Sequence, residues 1–182
     1  MNNKNTSLVL ILITVMSVLI RLLPHPANFV PMGALAITSG LYAKKKWQLL
    51  LPLGAMFATD FFIGFYDVKV MAVVYASFLI SAFIGVLVSR NKNFLTVAVG
   101  TLAGSVIFYL VTNFAVWAFS GMYVHNFGGL MTSYVMALPF FGNSLLGDFF
   151  YVGILVGSVE LATHAYNHLT SGRLAEVRNR GL

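Results

Sequence analysis

Cysteine and charge are what this sequence most lacks. None of its 182 residues is a cysteine, and only 9% are Asp, Glu, Lys or Arg. The missing thiols exclude disulfides, thiolate nucleophiles and cysteine-based metal sites. A soluble domain usually has about 25% charged residues, so this chain has too few to cover a surface that faces water. The scarcity excludes a cytosolic enzyme, a nucleic-acid-binding module and a disordered chain.

The composition is instead strongly apolar. Hydrophobic residues make up 59% of the chain, and the mean hydropathy is +0.86. Lipid accepts apolar surface without cost as long as the backbone polar groups are paired within helices. The composition therefore predicts an all-α, polytopic membrane protein whose single transmembrane domain covers residues 1–182.

Apolar runs indicate where the helices cross the membrane. A run of about 17–25 apolar residues can span the hydrocarbon core. Between the fifth and sixth runs lies an apolar segment bracketed by Gly128, Gly129 and Pro139, which predicts a short helix or lid. The six predicted transmembrane helices are residues 7–23, 29–43, 47–65, 70–89, 94–117 and 144–168.

The basic residues indicate how the chain is oriented. If the N-terminus is cytoplasmic, nine of the eleven Lys and Arg residues fall on inner segments. Only Arg21 and Lys69 fall on outer segments. An excess of basic residues on the cytoplasmic side is typical of membrane proteins, so this distribution predicts that both termini are cytoplasmic.

Polar residues inside lipid are candidates for function because their burial is expensive. In this topology they gather in the outer half of the bundle, and the inner half of the helices holds little besides Glu160 and His164. The pattern predicts a cavity that opens to the outside, with segment 128–141 as its lid. Amides and acids would orient a ligand, and aromatic rings would stack on it. The predicted substrate-binding residues are Asn28, Asp60, Asn113, Trp117, Tyr134 and Asp148.

Several of these positions also have a structural interpretation. Asp60 is equally explained by an ion pair with Arg21 or Lys69. Asn143 is suited to cap the last helix, which would place Asp148 near its positive end.

Two further patterns concern helix packing and metal binding. Small residues four apart, such as Gly40 after Ala36 and Gly157 after Gly153, predict close packing of helices within the chain. The pattern Glu160-x3-His164-x3-His168 would suit a metal, but at the inner end of a helix it is better explained by the helix dipole or by a Glu–His pair. No metal or cofactor is predicted. No Walker A, H-E-x-x-H or G-x-S-x-G motif is present, so no enzyme activity is predicted.

Five stretches of the chain resemble an uncharacterised bacterial family of six-helix membrane proteins. That family is in turn similar to the substrate-binding S components of energy-coupling-factor (ECF) vitamin transporters in size, helix layout and outward pocket. The stretches are His25-Pro-Ala-Asn-Phe-Val-Pro31, Asp60 after the third apolar run, Val111-Thr-Asn-Phe-Ala-Val-Trp117, the Leu-Pro-Phe-Phe end of 129–141, and Asn143-Ser-Leu-Leu-Gly-Asp-Phe-Phe-Tyr151.

The resemblance implies a protein of the bacterial inner (plasma) membrane that takes up a vitamin-like nutrient from the outer side. Its implied partners are the lipid bilayer, a coupling protein and ATPases. S components often carry an Ala-x-x-x-Ala docking motif in the first helix, and residues 8–23 have none. This departure leaves open whether the chain docks on the shared module or works alone. The alternative function is a non-catalytic structural or accessory subunit of a larger membrane complex.

Overall fold

The computed structural model describes residues 3–179, with side chains to residue 171. The chain is 84% helical, and the described part contains no strand, which confirms the all-α prediction. A 3-10 helix, Lys46–Leu50, precedes the third α-helix. The α-helices are α1 (Asn3–Leu22), α2 (Met32–Tyr42), α3 (Leu51–Ile63), α4 (Val68–Ser89), α5 (Phe94–Phe119) and α6 (Phe127–Asn179).

Helix length separates the six α-helices into two groups. Four of them, α1, α4, α5 and α6, are long and apolar enough to cross a membrane, as expected of a membrane protein. At 1.5 Å per residue, the 11 residues of α2 extend only about 16 Å, roughly half of a 30 Å hydrocarbon core. The predicted full-length helix over 29–43 is therefore wrong, and α2 is a half-length helix.

Prolines explain why α2 begins late. Pro24, Pro26 and Pro31 lie between the end of α1 and the start of α2. Each lacks a backbone N–H and disfavours helical geometry in the residue before it. Asn28 in this segment has a φ of 62°, which no right-handed helix accommodates. The chain consequently stays irregular until Met32.

The short helix α2 forms the centre of the bundle and packs most closely on α4. Nine of its 11 residues are buried. A Cβ on Gly40 would lie 2.8 Å from the carbonyl carbon of Ala82, and one on Gly85 would lie 2.9 Å from the Leu41 nitrogen. The prediction that small residues allow close packing is confirmed at this crossing.

The same prediction is wrong for Gly153 and Gly157 of α6. A Cβ added at either position would meet nothing within 4 Å. The sequence spacing of small residues does not reveal which of them face another helix, because every long helix in lipid also has an outer face.

A single helix runs through the predicted break before residue 144. The prediction of a separate segment after residue 128 is wrong, because α6 begins at Phe127 and contains Pro139. Asn143 is likewise not a helix cap: it lies inside α6, and its Nδ2 donates to the Ala27 carbonyl at 2.9 Å. Where no water is present to satisfy a broken helix, a continuous helix with a proline costs less than a loop.

The bend in α6 follows from its pairing with α5. Ser133 meets the Asn113 carbonyl, and Asp148 meets Ser105. Between these contacts α5 advances by eight residues, about 12 Å, whereas α6 advances by fifteen, about 22 Å. The longer path bows away from α5, as an internal proline such as Pro139 allows.

Candidate functional site

A cavity of about 400 Å³ lies at the outer end of α2, beside the irregular segment that precedes this helix. A full-length helix would occupy this space, so the late start of α2 creates the cavity. Its lining comes from five of the six α-helices and from the segments before α2 and α4. The residues are Arg21, His25, Asn28, Val30, Met32, Gly33, Ile37, Met56, Ile63, Tyr66, Val74, Phe78, Ser81, Thr101, Gly104, Ser105, Phe108, Ser144 and Asp148.

Asp148 connects the cavity wall to the first turn of α2. Its Oδ2 accepts a hydrogen bond from Ser105 Oγ at 2.6 Å, and its carboxylate also accepts the backbone N–H of Ala34. The first N–H groups of a helix have no partner within the helix, and Pro31 at the N-cap position supplies no side-chain cap. Asp148 therefore caps α2 from another helix, with its negative charge at the positive end of the dipole.

Arg21 and Asp60 form the polar network near the mouth of the cavity. Arg21 Nη2 donates to Asp60 Oδ1 at 2.8 Å, and the Tyr75 hydroxyl donates to Asp60 Oδ2 at 2.9 Å. Arg21 also donates to Thr59 Oγ1 and to Met56 Sδ. The Asp60 side chain is only 2% exposed. Its charge is thus neutralised by Arg21, and Arg21 rather than Asp60 lines the cavity.

Tyr66 lies on the same side of the cavity, in the turn between α3 and α4. Burial of its ring raises the pKa of Tyr66 to about 12, with a further rise from the Asp60 charge and an opposing effect from Arg21. The hydroxyl is therefore protonated at physiological pH and available as a neutral hydrogen-bond donor.

A second cavity, of about 300 Å³, lies beneath the bow of α6. Asn28, Val74, Ser105, Phe108 and Ser144 line both cavities, so the two adjoin. The residues specific to the second cavity are Tyr109, Thr112, Asn113, Val116, Ala137, Phe140 and Phe141.

Three of the six predicted site residues line these cavities. Asn28 lines both, Asp148 lines the first and Asn113 lines the second. The Asn113 Nδ2 donates to the Tyr109 carbonyl at 2.8 Å, which leaves its amide oxygen without a printed partner in the helix ladder. All three come from different elements, which the fold brings to one region.

The other three predicted site residues have structural partners and do not line either cavity. Asp60 pairs with Arg21, as described above. Trp117 Nε1 donates to the Val124 carbonyl at 3.0 Å, and the Tyr134 hydroxyl donates to the Leu110 carbonyl at 2.9 Å. Trp117 and Tyr134 therefore hold the outer ends of α5 and α6 together.

Ser105 and Gly33 are site residues that sequence reasoning missed. Ser105 has no histidine neighbour and so did not suggest chemistry, although Gly104 beside it marks a narrow face of α5. Gly33 follows Pro31 closely, but only the position of Asp148 gives it significance.

At the inner end, Glu160 joins three segments. It accepts the Tyr42 hydroxyl at 2.5 Å and pairs with Lys92. The Lys92 ammonium also lies 4.7 Å from the centroid of the Tyr42 ring. These bonds occupy Glu160 without His164, and residues 3–171 contain no cluster of three or more His, Asp or Glu suited to a metal.

Comparison with known proteins identifies the family of the chain. The family model of DUF6580, described as a family of unknown function, matches residues 1–170, and the chain belongs to this family. No curated protein and no solved structure gives a significant match.

Proposed function

We propose that this DUF6580 protein binds a small, vitamin-like organic nutrient from the outer side of the membrane and delivers it inward. The observation that carries the proposal is the cavity of about 400 Å³ above the half-length helix α2, with an acid on its wall. Small-molecule sites typically have volumes of about 300–1,000 Å³ and a few polar groups among apolar walls.

The polar lining favours a binding protein over a scaffold. A carboxylate such as Asp148 is costly inside a membrane bundle, and a subunit that only supports other proteins needs no such group beside an open cavity. Below the cavity, the tight crossing at Gly40 and Gly85 and the Tyr42–Glu160 contact close the inner side. A cavity closed at one end suits capture followed by release.

Side-chain contacts support a topology of six passes. Gln48 Nε2 donates to Ser7 Oγ at 3.0 Å, which joins the start of α1 to the segment before α3. Arg21 and Asp60 join the opposite ends of the same two helices. In the proposed arrangement α2 together with its irregular lead-in makes one pass, and α3 with its 3-10 turn makes another.

The basic residues orient this arrangement. The proposed cytoplasmic side carries nine of the eleven Lys and Arg residues, so the cavity opens away from the cytoplasm. The proposed location is the bacterial inner membrane. Because the chain has no nucleotide-binding motif, the proposed energy source for release is a partner, such as a coupling protein with its ATPases.

The test is retention of a ligand by the protein purified in mild detergent, measured by native mass spectrometry. Gly104 lines the cavity, where its Cβ would lie 3.4 Å from Ile37 Cδ1 and from Ser81 Oγ. Gly104→Leu fills this space. Gly54→Leu is the matched control, because a Cβ at Gly54 meets nothing within 4 Å.

We expect the native protein and Gly54→Leu to retain a small organic molecule that Gly104→Leu loses. Asn28→Gly supplies a second variant: glycine readily adopts the φ of 62° found at Asn28, so only the amide is removed, and retention should weaken. An empty native protein, or equal retention by Gly104→Leu, would reject the proposal. An empty protein that co-purifies with a stoichiometric subunit would favour the accessory-subunit alternative.

A further inference from the structure

The deeper polar wall of the cavity consists of hydrogen-bond acceptors. The hydroxyls of Ser81 and Thr101 each donate to the backbone carbonyl one turn earlier in the same helix, at 3.1 Å and 2.9 Å. The Ser105 hydroxyl lies 3.0 Å from the Thr101 carbonyl and 2.6 Å from Asp148 Oδ2. A hydroxyl has one hydrogen and two lone pairs. With their hydrogens used, these groups offer only lone pairs to a ligand.

Asp148 adds a negative charge to this acceptor wall. Its carboxylate has room for about four hydrogen bonds and receives one from Ser105 and one from Ala34. Across the described side chains, the ion pairs are Arg21–Asp60 and Lys92–Glu160, so no cationic side chain compensates Asp148. The N-terminus of α2 offsets about half a charge, which leaves a net negative potential.

The other charged or titratable groups on the cavity wall belong to its mouth. Arg21 is neutralised by Asp60. His25 bonds through its two ring nitrogens to the Pro26 and Arg21 carbonyls, at 2.9 Å and 3.1 Å. Tyr66 stays a neutral donor. The cavity thus has donors at its mouth and acceptors with a negative charge farther in.

We propose that the ligand is an organic cation whose positive nitrogen group, an ammonium, amidinium or protonated nitrogen heterocycle, binds Asp148. This inference rests on the proposed function and specifies the ligand class of the same cavity. The N–H groups of such a cation match the lone pairs of Asp148, Ser105 and Thr101. The rings of Phe78 and Phe108, with centroids 5.0 Å apart, line the same space and suit a flat apolar body.

The test compares three probes of one shape and different charge: benzamidinium, benzamide and benzoate. Their binding to the full-length protein, freed of co-purified ligand in detergent, is measured by isothermal titration calorimetry. We expect benzamidinium to bind at least tenfold more tightly than benzamide, and benzoate to bind most weakly. The order reflects an attraction that a wall of low dielectric constant strengthens.

Variants locate the preference. Asp148→Asn should abolish the advantage of the cation, whereas Ser105→Ala, which keeps the carboxylate, should retain it. Glu160→Gln is the matched control, because it removes the same charge at the inner end, away from the cavity, and should leave the preference unchanged. The probe series with the native protein does not depend on the folding of any variant.

Each alternative outcome has a defined meaning. Benzoate binding as tightly as benzamidinium, or a cation preference that survives Asp148→Asn, would overturn the inference. Equal binding of all three probes, lost in Gly104→Leu, would leave the proposed function standing and reject the cationic ligand. Binding of none of the probes would also reject the cationic ligand, whereas the retention experiment alone decides the proposed function.

Discussion

Gly33 at the start of α2 and Asp148 in α6 fit together only because residue 33 has no side chain. A Cβ at position 33 would lie 2.8 Å from the Asp148 carboxylate carbon, whereas carbon atoms pack at about 3.5–4.0 Å. The absence of a Cβ lets the carboxylate reach the Ala34 N–H and cap the helix. The polarity of the cavity therefore depends on a residue that contributes no polar group.

Gly33→Ala tests this relationship. The methyl group should displace the Asp148 carboxylate, break its bond to Ala34, weaken ligand binding and cost about 1–3 kcal/mol of unfolding free energy, the usual cost of overpacking. Thermal unfolding and ligand retention in detergent measure the two effects. Gly54→Ala is the control and should be neutral or stabilising by up to about 1 kcal/mol. Equal behaviour of the two variants would contradict the prediction.

Asp60→Asn tests the buried ion pair. The change leaves Arg21 without its counter-charge among buried groups, which typically costs about 3–5 kcal/mol. Glu160→Gln breaks the Lys92 pair, whose side chains are 38% and 48% exposed, and should cost less than about 1 kcal/mol. Equilibrium unfolding in mixed micelles measures both. Similar costs for the two variants would show that Asp60 is not committed to stability.

Gly85→Ala tests the crossing of α2 and α4. Its new methyl group would approach backbone atoms, which move less readily than side chains, so we expect a loss near the upper end of the overpacking range, about 3 kcal/mol. Gly157→Ala, at a position with no neighbour within 4 Å, is the control. Unfolding midpoints compare them. A tolerated Gly85→Ala would mean that the two helices do not depend on this close contact.

The proposed orientation is tested by single cysteines, since the chain has none of its own. Tyr123→Cys lies between α5 and α6, and Asn91→Cys lies between α4 and α5. On intact cells, a membrane-impermeant maleimide should label Cys at position 123 and not at position 91. Permeabilised cells, in which both should react, provide the control. Labelling of position 91 alone would reverse the proposed topology.

Long apolar runs predicted two helices closely. The sequence placed them at 70–89 and 94–117, and the structure has Val68–Ser89 and Phe94–Phe119. Polar caps mark both starts: Asp67 accepts from Lys69 and Val70, and Asn93 accepts from Thr96. A continuous apolar run with a polar cap states its own limits, because both signals are local.

The cavity residues were harder to predict because depth in the membrane does not determine direction. The topology argument placed Asn113 and Trp117 at similar depths, yet Asn113 lines a cavity and Trp117 bonds to Val124. Asp60 and Asp148 were also grouped together, yet they have separate partners. Which way a side chain points depends on how its helix is rotated against its neighbours, and that is a tertiary property.

The sequence by itself determined the solvent and the secondary structure of this protein. A chain with 9% charged residues is suited to lipid, and lipid permits backbone groups to be satisfied only within helices when sheets do not close. The tertiary structure alone decided the cavity. Prolines stop α2 at half length, and the N–H groups left free at its end are met by Asp148, more than a hundred residues away in the chain. Their pairing is possible only once α6 has packed against α2 and α5, so no local pattern could reveal it.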